Sequence, residues 1–169
     1  MNKLKFVTVA IIAMFLMLRY IQANSEPQIK MPITEIKSTD PPCLQMYFYI
    51  EKYAKEFLIP RSFAYGIAYY ETRYKGPYHQ KYNPAQISSA GALGPMQIMP
   101  ATSRWINQEN ASPQKLKTDI SYNVRTSMKL LRHLYDKYGD WKIVFGAYNT
   151  GRPIINNYAK DVYNYNPKW

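Results

Sequence analysis

The sequence predicts a mostly α-helical domain, with at most a short β-hairpin near the 75–95 loops. Three observations predict it. Apolar residues recur at i, i+3, i+4 and i+7 over several stretches, the repeat of one helix face. No stretch shows the convincing apolar-polar alternation of a half-buried strand. Short loops separate the helical stretches, which favours a compact antiparallel cluster. With 169 residues and 47% hydrophobic content, the chain suffices for one globular domain of ordinary size.

The first segment is of a different kind. "MNKLK" carries two lysines, "FVTVAIIAMFLML" is a 13-residue apolar run, and "RYIQA" ends in the small residue Ala23. That is the layout of a secretory signal peptide over residues 1–23. The run is shorter than the roughly 17 to 25 residues of a spanning helix. Ile21, at the third position before the cut, is larger than the residue usual there, so an uncleaved inner-membrane anchor is the alternative. Residues 24–42, "NSEPQIKMPITEIKSTDPP", hold four prolines and read as a linker. The domain proper is expected over residues 43–169.

From about Cys43 the helical repeat begins, with Cys43, Met46, Tyr47, Ile50, Ala54 and Phe57 on one stripe. Pro60 suits the first position of a second helix, which runs through Ile67 towards Glu71. Residues 75–90 read as loop, and "GALGPMQIMP" follows with glycines and prolines enforcing a tight path. A short helix is expected after Pro100, through Trp105. Residues 107–118 read as another loop. Asp119 can cap a longer helix bearing Ile120, Val124, Ser127, Leu131, Leu134 and Tyr138 on one face, and Gly139 can end it. Trp141 to Tyr148 forms a further short helix, and Pro153 opens a last one that ends near Tyr163.

Charge and cysteine count narrow the function classes. The formal net charge is +11. Removing residues 1–23 takes away Lys3, Lys5 and Arg19 and leaves 19 basic and 11 acidic residues, a net +8. A basic exported chain is drawn to anionic envelope polymers or acidic lipid, although a solvated basic surface explains the charge equally. Export makes nucleic acid a poor partner. Cys43 is the only cysteine, so no intramolecular disulfide forms, and it reads as a small buried hydrophobe. Two distant histidines and no paired cysteines make no transition-metal motif. Seventeen tyrosines recur along most of the chain. A tyrosine offers a flat apolar face and a polar tip, which suits cores and sugars alike.

Glu71 is the anomaly in this pattern. Ala64, Ile67, Ala68 and Glu71 fall on one helix face, so an acid continues an apolar stripe. Burial there disfavours the charged form and raises a carboxyl pKa, from roughly 4.3 towards about 6 in known general-acid glutamates. The alternative is a helix-ending residue that faces solvent or pairs with Arg73 or Arg104.

Four segments, in order, carry a resemblance. "YYETRY" resembles a catalytic Glu-Ser segment at a helix end. "SSAGALGPMQIMP" resembles Ser-x-x-Gly-Ala-x-Gly-Leu-Met-Gln-x-Met-Pro. "TDISYNV" resembles an Asn-Ile helix start, and "GAYNTG" an Ala-Tyr-Asn-x-Gly segment. Together, across residues 44–160, the chain resembles the soluble lytic transglycosylase (SLT) domain of glycoside hydrolase family 23, related to goose-type lysozyme. It departs from the pattern at Thr72 (usually serine), Pro95 (usually leucine), Ser127 (commonly glycine) and in the insertion "YKGPYHQKYNP".

The resemblance implies a compact lysozyme-like helical domain with a cleft, no cofactor, and peptidoglycan strands as partner. The bond cut would be the β-1,4 link between N-acetylmuramic acid and N-acetylglucosamine. Most glycosidases use two carboxylates, but residues 57–118 hold only Glu71 and Glu109, and Glu109 sits in no motif. The family mechanism would have Glu71 protonate the leaving oxygen while the acetamido group supports the anomeric carbon. Glu71 would then take the muramyl C6 hydroxyl proton as that oxygen closes a 1,6-anhydro ring. Tyr148 would hydrogen-bond near Glu71 and orient it. Met96 and Gln97 would line the cleft, and Gly94 would let backbone approach sugar. Thr72 and Ser88 would hold the glutamate's surroundings, and Asn149 would brace backbone. Ordinary packing, turn or cap roles stand beside each of these. A water-using lysozyme-like hydrolase and an inactive peptidoglycan-binding module are the competing functions. A single domain on a short tether also resembles enzymes that open the wall for a secretion or conjugation apparatus.

Overall fold

The computed structural model describes residues 35–110 and 112–169. The segment expected at 1–23 and the first part of the linker lie outside the described residues. Seven helices follow in order among the described residues: α1 Pro42–Glu56, α2 Arg61–Thr72, α3 Pro100–Asn107, α4 Pro113–Thr118, α5 Ile120–Tyr138, α6 Trp141–Thr150 and α7 Asn157–Tyr163.

The longest of these, α5, packs against α1, α3, α4 and α6; α2 lies against α1 and α7, and α6 against α7. Its stripe behaves as the spacing predicts. Ile120, Val124, Ser127 and Leu131 are buried, while Leu134 and Tyr138 pack on the core from its margin. Met46, Ile50 and Ala54 of α1 and Ala64, Ile67 and Ala68 of α2 are buried in the same core. Burying each large aliphatic side chain contributes about 1.5–3 kcal/mol, so these stripes, more than local propensity, hold the helices.

Asp119 and Asp140 accept first-turn N–H groups of α5 and α6, and Gly139 and Gly151 close those helices in the left-handed region.

Three expectations need correction. Residues 107–118 are not all loop, because α4 occupies 113–118. Ser112 caps it by accepting the Lys115 N–H, Pro113 opens it, and Leu116 is buried. One apolar residue in a polar segment makes no periodicity, so the sequence pattern misses it. Pro153 does not open the last helix. Residues 152–155 press against α6 instead: a Cβ on Gly146 would lie 1.6 Å from the Ile154 carbonyl oxygen. Only at Asn156, whose Oδ1 accepts the Ala159 N–H at 2.9 Å, does α7 begin. Pro60, finally, sits at the cap of α2 and not within it.

The 75–98 region forms no named strand. Two isolated antiparallel bridges, Ile87 with Leu93 and Leu93 with Ile98, are all the β structure described there.

Candidate active site

Glu71 lies in the last turn of α2. What ends the helix also fixes the turn. Arg73 adopts φ 60°, and its N–H and that of Tyr74 return to the Tyr69 and Ala68 carbonyls. Tyr74 is wholly buried, and its hydroxyl donates to the Cys43 carbonyl at 2.9 Å, tying the helix end to α1. Cys43 is buried, as a small hydrophobe would be.

The Glu71 carboxyl is half-buried and takes part in no ion pair among the described residues. Neither Arg73 nor Arg104 neutralises it; the Arg73 guanidinium lies over the Tyr69 ring. Burial pushes the carboxyl up to about 7, against a smaller opposing effect of the Tyr158 hydroxyl, which donates to Oε1 at 2.5 Å. The acid on the apolar stripe is thus poised to hold a proton near neutral pH and to release it. Among the described residues no second carboxylate contributes to that shift. Glu109 lies exposed beyond the end of α3.

The profile of the transglycosylase SLT domain matches residues 48–168. The chain belongs to that family. A phage PRD1 protein described as a transglycosylase is 37% identical over 78 residues, 46% of this chain and 27% of the phage protein. The 70-kDa soluble lytic transglycosylase of Escherichia coli superposes with a TM-score of 0.54 at 27% identity, and a complex of a 70-kDa soluble lytic transglycosylase with bulgecin A superposes with the same values. Both alignments cover 69% of this chain and 18% of the larger one. This SLT chain therefore spans about a quarter or less of the relatives it matches, and it shares the helical lysozyme-like fold of the solved transglycosylase.

Within the SLT domain the resembling segments meet around one buried hub that the motif residues only partly identify. Asn123 is fully buried on α5. Its Oδ1 accepts the Met96 N–H at 2.9 Å, and its Nδ2 donates to the carbonyls of Leu93 (2.9 Å) and Leu116 (2.8 Å). This one amide satisfies three backbone groups and pins the 93–96 turn to α5. Thr72 pins the same turn from the other side. Its hydroxyl donates to the Pro95 carbonyl at 2.8 Å and meets the Tyr82 hydroxyl at 2.8 Å. Tyr82 comes from the insertion, which thus completes the support beneath the helix end.

Several site residues stand elsewhere than the resemblance implies. The Tyr148 hydroxyl donates to the Met96 carbonyl at 2.7 Å and meets Ser127 Oγ at 2.9 Å. Glu71 is close enough to raise the Tyr148 pKa, after burial, but the hydroxyl bonded to the carboxylate is that of Tyr158. Met96 is wholly buried, so its side chain packs the core and lines no cleft. Gly94 sits at φ +75°. A Cβ there would lie 2.5 Å from both Asn123 Nδ2 and the Leu116 carbonyl, so the close approach is internal. Gln97 is half-buried, and its Nε2 donates to the carbonyls of Gly94 (2.8 Å) and Gln86 (3.3 Å), bracing the loop. Ser88 Oγ accepts the Ala92 N–H within its turn. Asn149 is exposed and accepts from Asn156, the residue that caps α7. Its bond reaches a side-chain amide and not the backbone.

Tyr158 is the residue sequence reasoning missed. It sits on α7, 87 positions from Glu71, among 17 tyrosines and outside the four resembling segments. No spacing sets it apart. Among the described residues no group of three or more His, Cys, Asp or Glu gathers as a metal site.

Proposed function

We propose that this chain is an exported peptidoglycan lytic transglycosylase that works with one carboxyl, Glu71. Membership of the SLT family supports the reaction class. The observation that carries the assignment is Glu71 itself, half-buried, in no ion pair among the described residues, and with its pKa pushed up to about 7 by burial. A neutral carboxyl donates its proton to the glycosidic oxygen as the β-1,4 bond between N-acetylmuramic acid and N-acetylglucosamine breaks. The substrate's acetamido oxygen supports the anomeric carbon. The resulting carboxylate, favoured by the Tyr158 hydroxyl, takes the proton of the muramyl C6 hydroxyl, and that oxygen closes the 1,6-anhydro ring. The proton returns to Glu71, and no water is consumed. One carboxyl without a partner acid suits this route better than a two-carboxylate hydrolysis.

Export rests on the segment at residues 1–23, and an uncleaved segment would tether the enzyme to the inner membrane. We also propose that it opens the wall locally for an envelope-spanning secretion or conjugation apparatus.

Digestion of purified peptidoglycan tests the reaction. Wild-type chain is expected to release muropeptides lighter by one water, without a reducing muramyl end. Glu71→Gln is expected to lose cleavage by about a hundredfold or more while keeping the helical circular dichroism. Reducing-end products would instead identify a hydrolase, and normal turnover by the variant would remove Glu71 from the mechanism.

A further inference from the structure

A concave site lies beside the helix that carries Glu71. It encloses about 680 Å³, within the ~300–1,000 Å³ usual for small-ligand sites, and Glu71 is not in its wall. Four aromatic rings line it: Tyr69 and Tyr70 from α2, and Tyr165 and Trp169 from the segment after α7. Its polar groups are Lys75, Asp161, Asn164, Asn166 and Lys168.

The wall is held in place. Trp169 packs edge-on against Tyr65, with ring centroids 5.0 Å apart, and covers Gly76 at φ +101°. A Cβ there would lie 2.5 Å from the indole. Tyr165 stacks on Tyr69 at 5.0 Å. Tyr70 meets Tyr69, Tyr158 and Tyr165 edge-to-face, without a parallel-stacked ring in those contacts. The residues that follow α7 are therefore a built part of the domain.

We propose that this pocket binds an N-acetylated saccharide of a glycan strand, separately from the carboxyl that cuts it. Flat rings match the apolar C–H faces of a sugar. Asn164 and Asn166 each carry a donor and an acceptor, the complement of an acetamido group's carbonyl and N–H. Lys75 and Lys168 donate to hydroxyls, and Asp161 accepts from them. A purely apolar ligand would leave these five polar side chains without a match, and a simple anion would leave the rings unused. The choice of saccharide rests on the proposed peptidoglycan reading. Binding here would hold the polymer near Glu71 and raise its effective concentration at the cleavage site.

The test uses the full chain carrying Glu71→Gln, isotope-labelled, titrated with chitotetraose and, in parallel, with a free peptidoglycan stem tripeptide. The side-chain N–H resonances of Asn164, Asn166 and Trp169 are expected to shift saturably with chitotetraose and to stay still with the peptide. Replacing both Asn164 and Asn166 by Ala is expected to weaken the Trp169 titration about tenfold, with circular dichroism unchanged. Should that pair disturb the fold, Lys75→Ala with Lys168→Ala gives the same reading. Shifts confined to the surroundings of position 71, or shifts at the pocket with the peptide alone, would overturn the proposal. So would a pocket variant that titrates like its parent. Cleavage plays no part in this readout. A chain that binds chitotetraose here yet never cuts peptidoglycan would sink the proposed reaction and leave the pocket standing.

Discussion

Glu71 and Tyr158 oppose each other in a measurable way. Burial drives the carboxyl to about 7, and the Tyr158 hydroxyl pulls it back by stabilising the charged form. Tyr158→Phe keeps the ring against Tyr70 but deletes that hydrogen bond. The Glu71 pKa should then rise above 7, carrying the alkaline limb of the pH–rate profile upward. The maximal rate should fall about tenfold, the worth of one hydrogen bond of ~1.4 kcal/mol. A merely structural tyrosine would lower the rate without moving the limb. Stability reads the same group independently. Below about pH 4.5 Glu71 is protonated folded or unfolded. As pH rises through about 7, the folded chain must hold a poorly hydrated charge, and stability present at low pH is lost. The neutral isostere in Glu71→Gln suffers no such loss. Urea denaturation should therefore find the two proteins alike near pH 4. The variant should be more stable by roughly 2–3 kcal/mol near pH 8. The acid on the apolar stripe was visible in sequence because Ala64, Ile67 and Ala68 flagged the face; its partner on α7 was not, because contact across 87 residues leaves no local pattern.

At the scale of elements, α1 and α2 were legible from their amphipathic repeats, and α5 and α6 also from their Asp and Gly caps. The six-residue α4 and the start of α7 were not. Leu116 alone cannot make a period, and Pro153 would open a helix were the 152–155 backbone not pressed onto Gly146. The motif loop shows the same division. Its glycines and prolines announced a tight path, and that path brings backbone groups to Asn123. A buried amide that satisfies three backbone groups is hard to replace, since each orphaned group costs about 1–3 kcal/mol. Asn123→Ala should lower the urea-unfolding free energy by about 3 kcal/mol. It should also slow glycan cleavage, because the Met96 carbonyl that receives Tyr148 belongs to the released turn. Wild-type stability in that variant would mean that water replaces the amide and that the hub is dispensable.

For the molecule as a whole, charge and shape make separable demands on the polymer. The chain carries a formal +11, and peptidoglycan bears lactyl-linked peptides with carboxylates. Only three ion pairs form among the described residues, all on arginine, so many lysines face outward without an acidic neighbour to neutralise them. Such a field attracts an anionic polymer from a distance but is screened. The Debye length falls from about 10 Å at 0.1 M salt to about 3 Å at 1 M. Contacts of rings and amides with an uncharged sugar are short-ranged and escape that screening. Glu71→Gln chain sedimented with insoluble peptidoglycan should therefore lose about tenfold or more in retained protein between those two salt concentrations. Its affinity for uncharged chitotetraose should change less than twofold over the same range. Equal salt sensitivity for both ligands would assign the attraction to the basic surface alone. Salt-independent retention on peptidoglycan would show that the +11 serves solubility and that recognition is a matter of fit.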